Sequence, residues 1–199
     1  MTEILLFNRW NLNDVKVEDA GLVKYVNLRP LVVPKSSGKY ASSPGHKNKM
    51  NIVERFINKM MVAGHRGKKH KITSGHSPAS YNAIFLSVKE ALEIIEKKSK
   101  KNPVQVLVDA IENAAMFEEV ASYRLGGMIA RKAVVTTPQR RVDLALRYLT
   151  QGIYKITFRN KKSLANVIAE ELMAAANNDA KSFAISERNR LEKEAEGAR

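Results

Sequence analysis

Lysine and arginine are the residue types of this chain best suited to bind a ligand, and they are concentrated in two segments. The 199-residue chain has 34 of them against 20 acidic residues, a formal net charge of +14. Residues 35–76 hold ten basic residues and one acid, and residues 119–162 hold ten basic residues and two acids. Guanidinium and ammonium groups bind phosphate oxygens through charge-assisted hydrogen bonds. The two segments therefore predict two contact surfaces for one polyanion.

Support for other chemistry is weak. The chain has no cysteine, which excludes disulfides, thiolate zinc sites and a cysteine nucleophile. Its four histidines lie in basic segments, where neighbouring cations oppose metal capture. Residues 75–79 are similar to a nucleophile elbow but lack its last glycine and the preceding strand. Glu170 and Glu171 are predicted to lie on a solvated helix face. We therefore expect no catalytic residue, no metal site, no cofactor and no enzymatic activity.

Helix-start signals predict the elements that position the basic residues. Each start combines a capping side chain with apolar residues at helical spacing, and three add proline at the first helical position. Gln105, the third residue of one such helix, could reach back to the N-cap backbone. The starts are Asn51, Ser77-Pro78, Asn102-Pro103, Thr137-Pro138 and Ser163, followed by a charged helical stretch from about Lys181 to Glu196.

The predicted fold is mainly α: a helical bundle of about five to six helices with an inserted β-hairpin arm and an irregular N-terminal extension. Residues 1–50 form the extension and a basic loop, and residues 51–199 form the helical domain. Trp10 could stack on a base, although a lone aromatic residue is more often part of a core. No apolar run reaches the ~18–20 residues of a membrane span, and no signal peptide is evident. We therefore expect a soluble, cytoplasmic protein.

The hairpin is predicted at about residues 119–135, where β-branched residues flank the pair Gly126-Gly127. It carries Arg124, Arg131 and Lys132. Isolated two-stranded hairpins are marginally stable in water. Two interpretations remain open: one face packs on the helices while the cations are solvated, or the hairpin is an arm laid along nucleic acid.

The helix after Pro138 begins with two cations, Arg140 and Arg141. The helix macrodipole disfavours cations in a first turn, and a bound phosphate would offset this effect. Helical spacing places Arg140, Arg147 and Lys155 opposite the apolar stripe. A merely solvated face normally interleaves glutamate, but only Asp143 is present here. The pattern favours phosphate contact.

A further basic segment runs from His65 to Lys71 without an acid. Two interpretations are open: the segment is a disordered basic loop, or it is a clamp that becomes ordered on nucleic acid. Both hold if the loop is disordered in the free protein and ordered in the complex.

Three stretches resemble the universal small-subunit ribosomal protein seven family. They are residues 102–111 (NPVQVLVDAI), residues 124–127 (RLGG) and residues 138–147 (PQRRVDLALR). The resemblance covers about residues 51–199, and residues 64–71 (GHRGKKHK) are similar to the archaeal branch. The combination is specific, whereas each stretch alone would be weak.

The resemblance implies a helical RNA-binding domain with a hairpin arm that binds the 3′ major domain of small-subunit ribosomal RNA. It further implies nucleation of head assembly, an arm near exit-site tRNA and the messenger path, neighbouring head and platform proteins, and a place in the cytoplasmic ribosome. Met116-Phe117 stands where relatives usually show Pro-Arg, and Ala121 and Tyr123 stand where bacterial relatives often carry arginine. These departures imply fewer or shifted contacts at the arm.

The predicted RNA contacts combine the two basic segments with the positions that the resemblance implies. The second segment supplies Arg124, Arg131, Lys132, Arg140, Arg141, Arg147, Arg159, Lys161 and Lys162. The first segment supplies Lys35, Lys39, Lys47, Lys49, Arg66, Lys68, Lys69 and Lys71.

A helical DNA-binding regulator is the alternative function. Its helix-turn-helix needs a turn of three to four residues before a recognition helix. The predicted connections are longer or contain the hairpin, which disfavours this alternative. A nucleic-acid-processing enzyme is disfavoured by the missing acid/base and metal residues.

Overall fold

The computed structural model describes residues 4–62, 65–66, 69–70 and 80–199. Within these residues the chain forms seven helices and two short antiparallel sheets. The helices are α1 (His46–Lys49), α2 (Ile52–Met60), α3 (Tyr81–Ser99), α4 (Pro103–Ala114), α5 (Pro138–Thr157), α6 (Leu164–Ala176) and α7 (Phe183–Glu196). The strands are β1 (His65–Arg66), β2 (Lys69–His70), β3 (Glu118–Leu125) and β4 (Met128–Val135).

The predicted mainly α fold with an inserted hairpin is confirmed. Asn51, Asn102 and Ser163 cap α2, α4 and α6, each side chain accepting a hydrogen bond from a backbone N–H of the first turn. Because α1 lies in a segment predicted as loop, the described chain has one helix more than expected. The predicted start at Ser77-Pro78 lies outside the described residues, in which α3 begins at Tyr81.

Gln105 does not reach back to the helix start as predicted. Its Nε2 donates to the Lys16 carbonyl (2.9 Å) and to Asp109 Oδ1 (2.6 Å). Its Oε1 accepts from the Lys16 backbone N–H at 2.8 Å. The N-terminal extension offers both a donor and an acceptor, and this pair of bonds outcompetes the single local one.

The apolar core surrounds α4, of whose twelve residues eight are buried. Helices α3, α5 and α6 pack around it. The extension contributes Leu6, Trp10, Leu12 and Leu22 to the same core, so Trp10 is a core residue. None of the helices in the described ranges is long and apolar enough to cross a membrane.

Glu171 corrects the prediction of a solvated acidic face on α6. Its side chain is buried, and its Oε1 accepts from Ser182 Oγ (2.8 Å) and from the Ala184 backbone N–H (3.3 Å). Burial raises the pKa of this carboxyl, although the hydrogen bonds favour its charged form. The structure thus uses Glu171 to hold the start of α7, an interaction that helical spacing along α6 does not reveal.

The hairpin arm, residues 118–135, pairs in one register from Glu118↔Val135 to Leu125↔Met128. Its turn uses Gly126 at φ 59°, a conformation that side chains with a Cβ rarely adopt. At the base of the arm, residues 118–121 and 133–134 are half-buried and both strands contact α7, whereas Val135 and the described side chains from Ser122 to Lys132 are exposed. The helices therefore cover only the base, and the outer half extends away from the body.

Candidate nucleic-acid interface

Asp143 of α5 joins the two basic segments in space. Its Oδ2 lies 2.8 Å from Lys47 Nζ, and its Oδ1 lies 3.1 Å from Arg55 Nη2. Burial opposes the charged form of Asp143, but the two cations outweigh it and lower its pKa below the ordinary value. Arg55 is itself buried and also donates to the Tyr25 carbonyl at 2.7 Å. The segment before α2 and the outer face of α5 consequently lie side by side.

A cleft of about 210 Å³ lies at this junction, lined by Lys47, Arg55, Lys59 and Asp143 among others. Burial lowers the pKa of the Lys59 ammonium, and the nearby charge of Arg147 lowers it further. Arg147 is exposed, and none of the ion pairs among the described residues involves it. One acid thus faces several cations, so the cleft carries net positive charge that a phosphate group would neutralise.

Arg140, at the first turn of α5, is paired within the chain. Its Nε and Nη2 contact Glu119 Oε1 (2.5 Å) and Oε2 (2.6 Å) of β3. This bidentate contact raises the pKa of the guanidinium. The Glu119 carboxylate thus offsets the unfavourable interaction of Arg140 with the helix macrodipole, an effect that the sequence analysis attributed to a bound phosphate. The side chain remains exposed, and its outer surface stays open to a ligand.

Arg141 is a predicted RNA contact whose side chain is buried in the structure. Its side chain is only 7% exposed, and its Nη2 lies 2.6 Å from Asp19 Oδ2. Its Nε donates to the Met116 carbonyl at 3.2 Å, and its Cζ lies 4.2 Å from the centre of the Phe117 ring. A guanidinium enclosed in this way cannot reach an external phosphate, and we exclude Arg141 from the RNA-contacting set.

The three predicted cations of the arm are all exposed. Pairing of Ser122 with Arg131 and of Arg124 with Ile129 puts the two arginines on one face of the hairpin. Lys132 pairs with Ala121 and lies on the other face. The arm therefore presents positive charge on both faces to a polyanion.

Among the predicted contacts, nine exposed cations have no acidic partner within the described ranges. We call them the free cations. They are Lys35, Lys39, Lys49, Arg124, Arg131, Lys132, Arg147, Arg159 and Lys161.

Some free cations make weaker contacts that orient them. Lys35 lies 5.1 Å from the centre of the Tyr81 ring, and burial raises the pKa of that tyrosine to about 12. Lys49 Nζ donates to Ser43 Oγ at 3.2 Å, and Arg159 lies over the neighbouring aromatic ring at 5.2 Å. Such contacts hold a side chain without neutralising its charge.

The remaining predicted contacts either have a pairing partner or lie outside the residues that the structure describes. Lys162 contacts Glu170 at 2.8 Å. Lys68 and Lys71 lie outside the described residues. Arg66 and Lys69 pair with each other in the β1–β2 ladder, of which only the backbone is described. The segment predicted as a loop therefore contains a short antiparallel pair.

Two cations at this surface were missing from the predicted set. Lys59 lies one turn beyond Arg55 on α2, and Lys155 lies two turns beyond Arg147 on α5. Helical spacing already predicted Lys155 on the same face as Arg147, and the spacing of Lys59 from Arg55 was the signal that could have added Lys59. Within the described ranges, no group of three or more histidine, aspartate or glutamate side chains could hold a metal ion.

Comparison with known proteins gives consistent results. The model of the family described as Ribosomal protein S7p/S5e matches residues 24–199. The chain is similar to small ribosomal subunit protein uS7 of Archaeoglobus fulgidus, with 44% identity over 99% of this chain and 96% of that protein. It is similar to the uS7 of Nanoarchaeum equitans, with 45% identity over 98% of each chain. Nearly the whole chain is covered, the N-terminal extension included.

Proposed function

The chain belongs to the ribosomal protein S7p/S5e family, and from this premise we propose that it binds ribosomal RNA in the small subunit of the cytoplasmic ribosome. It is a structural component of a ribonucleoprotein that serves translation and has no reaction of its own. Its RNA partner is the 3′ major domain of the small-subunit RNA, and its binding there nucleates assembly of the subunit head.

The observation that carries this proposal is the set of nine free cations. Like charges without counter-charges repel one another in the folded state, and a polyanion removes this repulsion. The free cations lie on the arm, on the outer face of α5, in the connection between α5 and α6, and in the segment that meets α5 at Asp143. An RNA backbone following these surfaces is recognised through its phosphates and its A-form shape, with little reading of base edges.

The arm is proposed to lie near the exit-site tRNA and the messenger path. Its outer half is exposed and has cations on both faces, which suits contact with two different RNA strands. Met128 and Ile129 at the turn are 76% and 70% exposed, and they are available to pack against bases or sugars. Neighbouring head proteins, and a platform protein near α7, complete the proposed partners.

The alternative of a DNA-binding regulator gains no support from the fold. Contrary to the sequence expectation, α3 and α4 are joined by only three residues, a length that suits a helix-turn-helix. However, eight of the twelve residues of α4 are buried and none is exposed, so α4 cannot enter a DNA groove.

Sedimentation of cell extract tests the proposal. We expect the protein to co-migrate with the small subunit and to be released only at high salt, because phosphate contacts weaken as salt rises. Competition between a 3′ major domain RNA and duplex DNA for the purified chain is the companion measurement. Migration as a free protein, or equal competition by duplex DNA, would contradict the proposal.

A further inference from the structure

Two adjacent arginines at the foot of the arm point in opposite directions. Arg140 lies at the surface and contacts Glu119 of β3, whereas Arg141 is buried and contacts Asp19 of the N-terminal extension. The RNA-binding role proposed above uses exposed cations and leaves Arg141 without a function. Its contacts converge on the point where the arm leaves the helical body.

Phe117, the residue immediately before β3, marks that point. The Arg141 guanidinium carbon lies 4.2 Å from the centre of the Phe117 ring, and Arg141 Nε donates to the Met116 carbonyl. The Phe117 carbonyl accepts from the Thr136 backbone N–H at 2.9 Å, which closes the base of the hairpin. The Phe117 N–H donates to Glu192 Oε1 of α7 at 3.0 Å. Arg141 therefore contacts Met116 and Phe117, the two residues through which the chain enters the arm.

Asp19 is itself held in place. Its Oδ1 accepts from the Gly21 N–H at 2.8 Å, and its own N–H donates to Glu112 Oε1 of α4 at 3.1 Å. Gly21 leaves room for the pair, since a Cβ there would lie 3.1 Å from Asp19 Oδ1 and 3.5 Å from Arg141 Nη1. The extension thus carries a fixed carboxylate to the inner side of Arg141.

The other charged contacts at the foot of the arm are more exposed. They are the Arg140–Glu119 pair and the Arg199–Glu118 pair, whose arginine side chains are 53% and 64% exposed. Exposed pairs contribute little to holding a segment in place because water and salt screen them. The Asp19–Arg141 pair is hydrogen-bonded and its arginine side chain is only 7% exposed, so water screens it less and it is the stiffest of the three contacts.

We propose that Arg141 is a positioning residue that sets the direction of the hairpin arm, and that Asp19 of the N-terminal extension holds Arg141 in this role. The consequence for RNA rests on the proposed function: an arm held in one direction places its cations on RNA without first losing orientational freedom. The extension, remote in sequence, is thereby coupled to the arm.

Distance measurement in the free protein tests this role without RNA. The chain has no native cysteine, so Glu90→Cys on α3 and Gly127→Cys at the turn give one spin-label pair in the full-length protein. A Cβ at position 127 meets no atom within 4 Å. We expect a narrow distance distribution by double electron–electron resonance, and a distribution at least twice as wide in Asp19→Asn and Arg141→Gln.

Arg147→Gln is the matched control, because it removes the same charge from the same helix at a site without an ion-pair partner in the described ranges. Its distribution should match the wild type. Phe117→Leu keeps the backbone bonds and replaces a ring that is 61% exposed, so it tests the same contact if Arg141→Gln does not fold. Unchanged widths in Asp19→Asn and Phe117→Leu would overturn the proposal.

RNA binding is measured separately on the same variants. If the wild-type protein fails to bind the RNA but Asp19→Asn still widens the distance distribution, the positioning role is supported and the proposed function is contradicted. If the wild-type protein binds the RNA and the width of the distance distribution is unchanged in every variant, only the positioning role is contradicted.

Discussion

Removal of the arm's charge is the sharpest test of the phosphate-contact interpretation. The triple substitution of Arg124, Arg131 and Lys132 by glutamine removes three free cations whose side chains are exposed. Because these side chains have no acidic partner in the described chain, no internal ion pair is broken. Exposed substitutions of this kind change the free energy of unfolding by only about 0.5 kcal/mol. A change in RNA affinity would therefore report on binding rather than on folding.

The size of the effect follows from counterion release. Each phosphate contact contributes roughly 0.7 to 0.9 to the slope of log K against log salt concentration. Loss of three contacts should reduce the steepness of that slope by roughly 2 to 3. Between 50 and 200 mM salt, the difference in affinity between wild type and variant should then narrow by roughly 1.2 to 1.8 orders of magnitude.

The assay is equilibrium binding to a 3′ major domain RNA at several salt concentrations. The matched control replaces Lys97, Lys98 and Lys101 by glutamine, which removes the same charge from exposed positions at the end of α3 and just after it. We expect the control to keep nearly the wild-type slope. If both triple variants lower the slope equally, the protein binds through its overall charge, and the reasoning from the free cations is refuted.

Two further predictions concern stability. Gly152→Ala should lower the free energy of unfolding by about 1–3 kcal/mol in urea titration, because its Cβ would lie 2.8 Å from Phe183 Cβ. Gly127→Ala is the control, since its Cβ meets no atom within 4 Å, and it should have a much smaller effect. Equal losses in the two variants would contradict the packing explanation. Asp143→Asn should cost about 1–3 kcal/mol, because buried Arg55 loses its charged partner. Since the pKa of Asp143 is lowered on folding, wild-type stability should fall as pH drops through the carboxyl range, and the variant should lack that part of the loss.

Local features of the chain predicted most of the architecture. Cap side chains such as Asn51 and Ser163 form their hydrogen bonds within one turn, so the starts of α2 and α6 are visible in a short stretch of sequence. The glycine pair at 126–127 likewise determines a hairpin turn locally. Gln105 departed from its prediction because a distant backbone segment offered it two hydrogen bonds.

Charge is where sequence and structure differ most. The composition by itself determined that the chain has a large excess of cations in two segments, and with it the expectation of a polyanionic partner. Only the tertiary structure decided which cations are already neutralised. Glu119 pairs with Arg140, Asp19 with Arg141 and Asp143 with Lys47 across separations of 21, 122 and 96 residues. Ion pairing depends on distance in space, and folding brings these partners together from segments whose local patterns carry no record of one another.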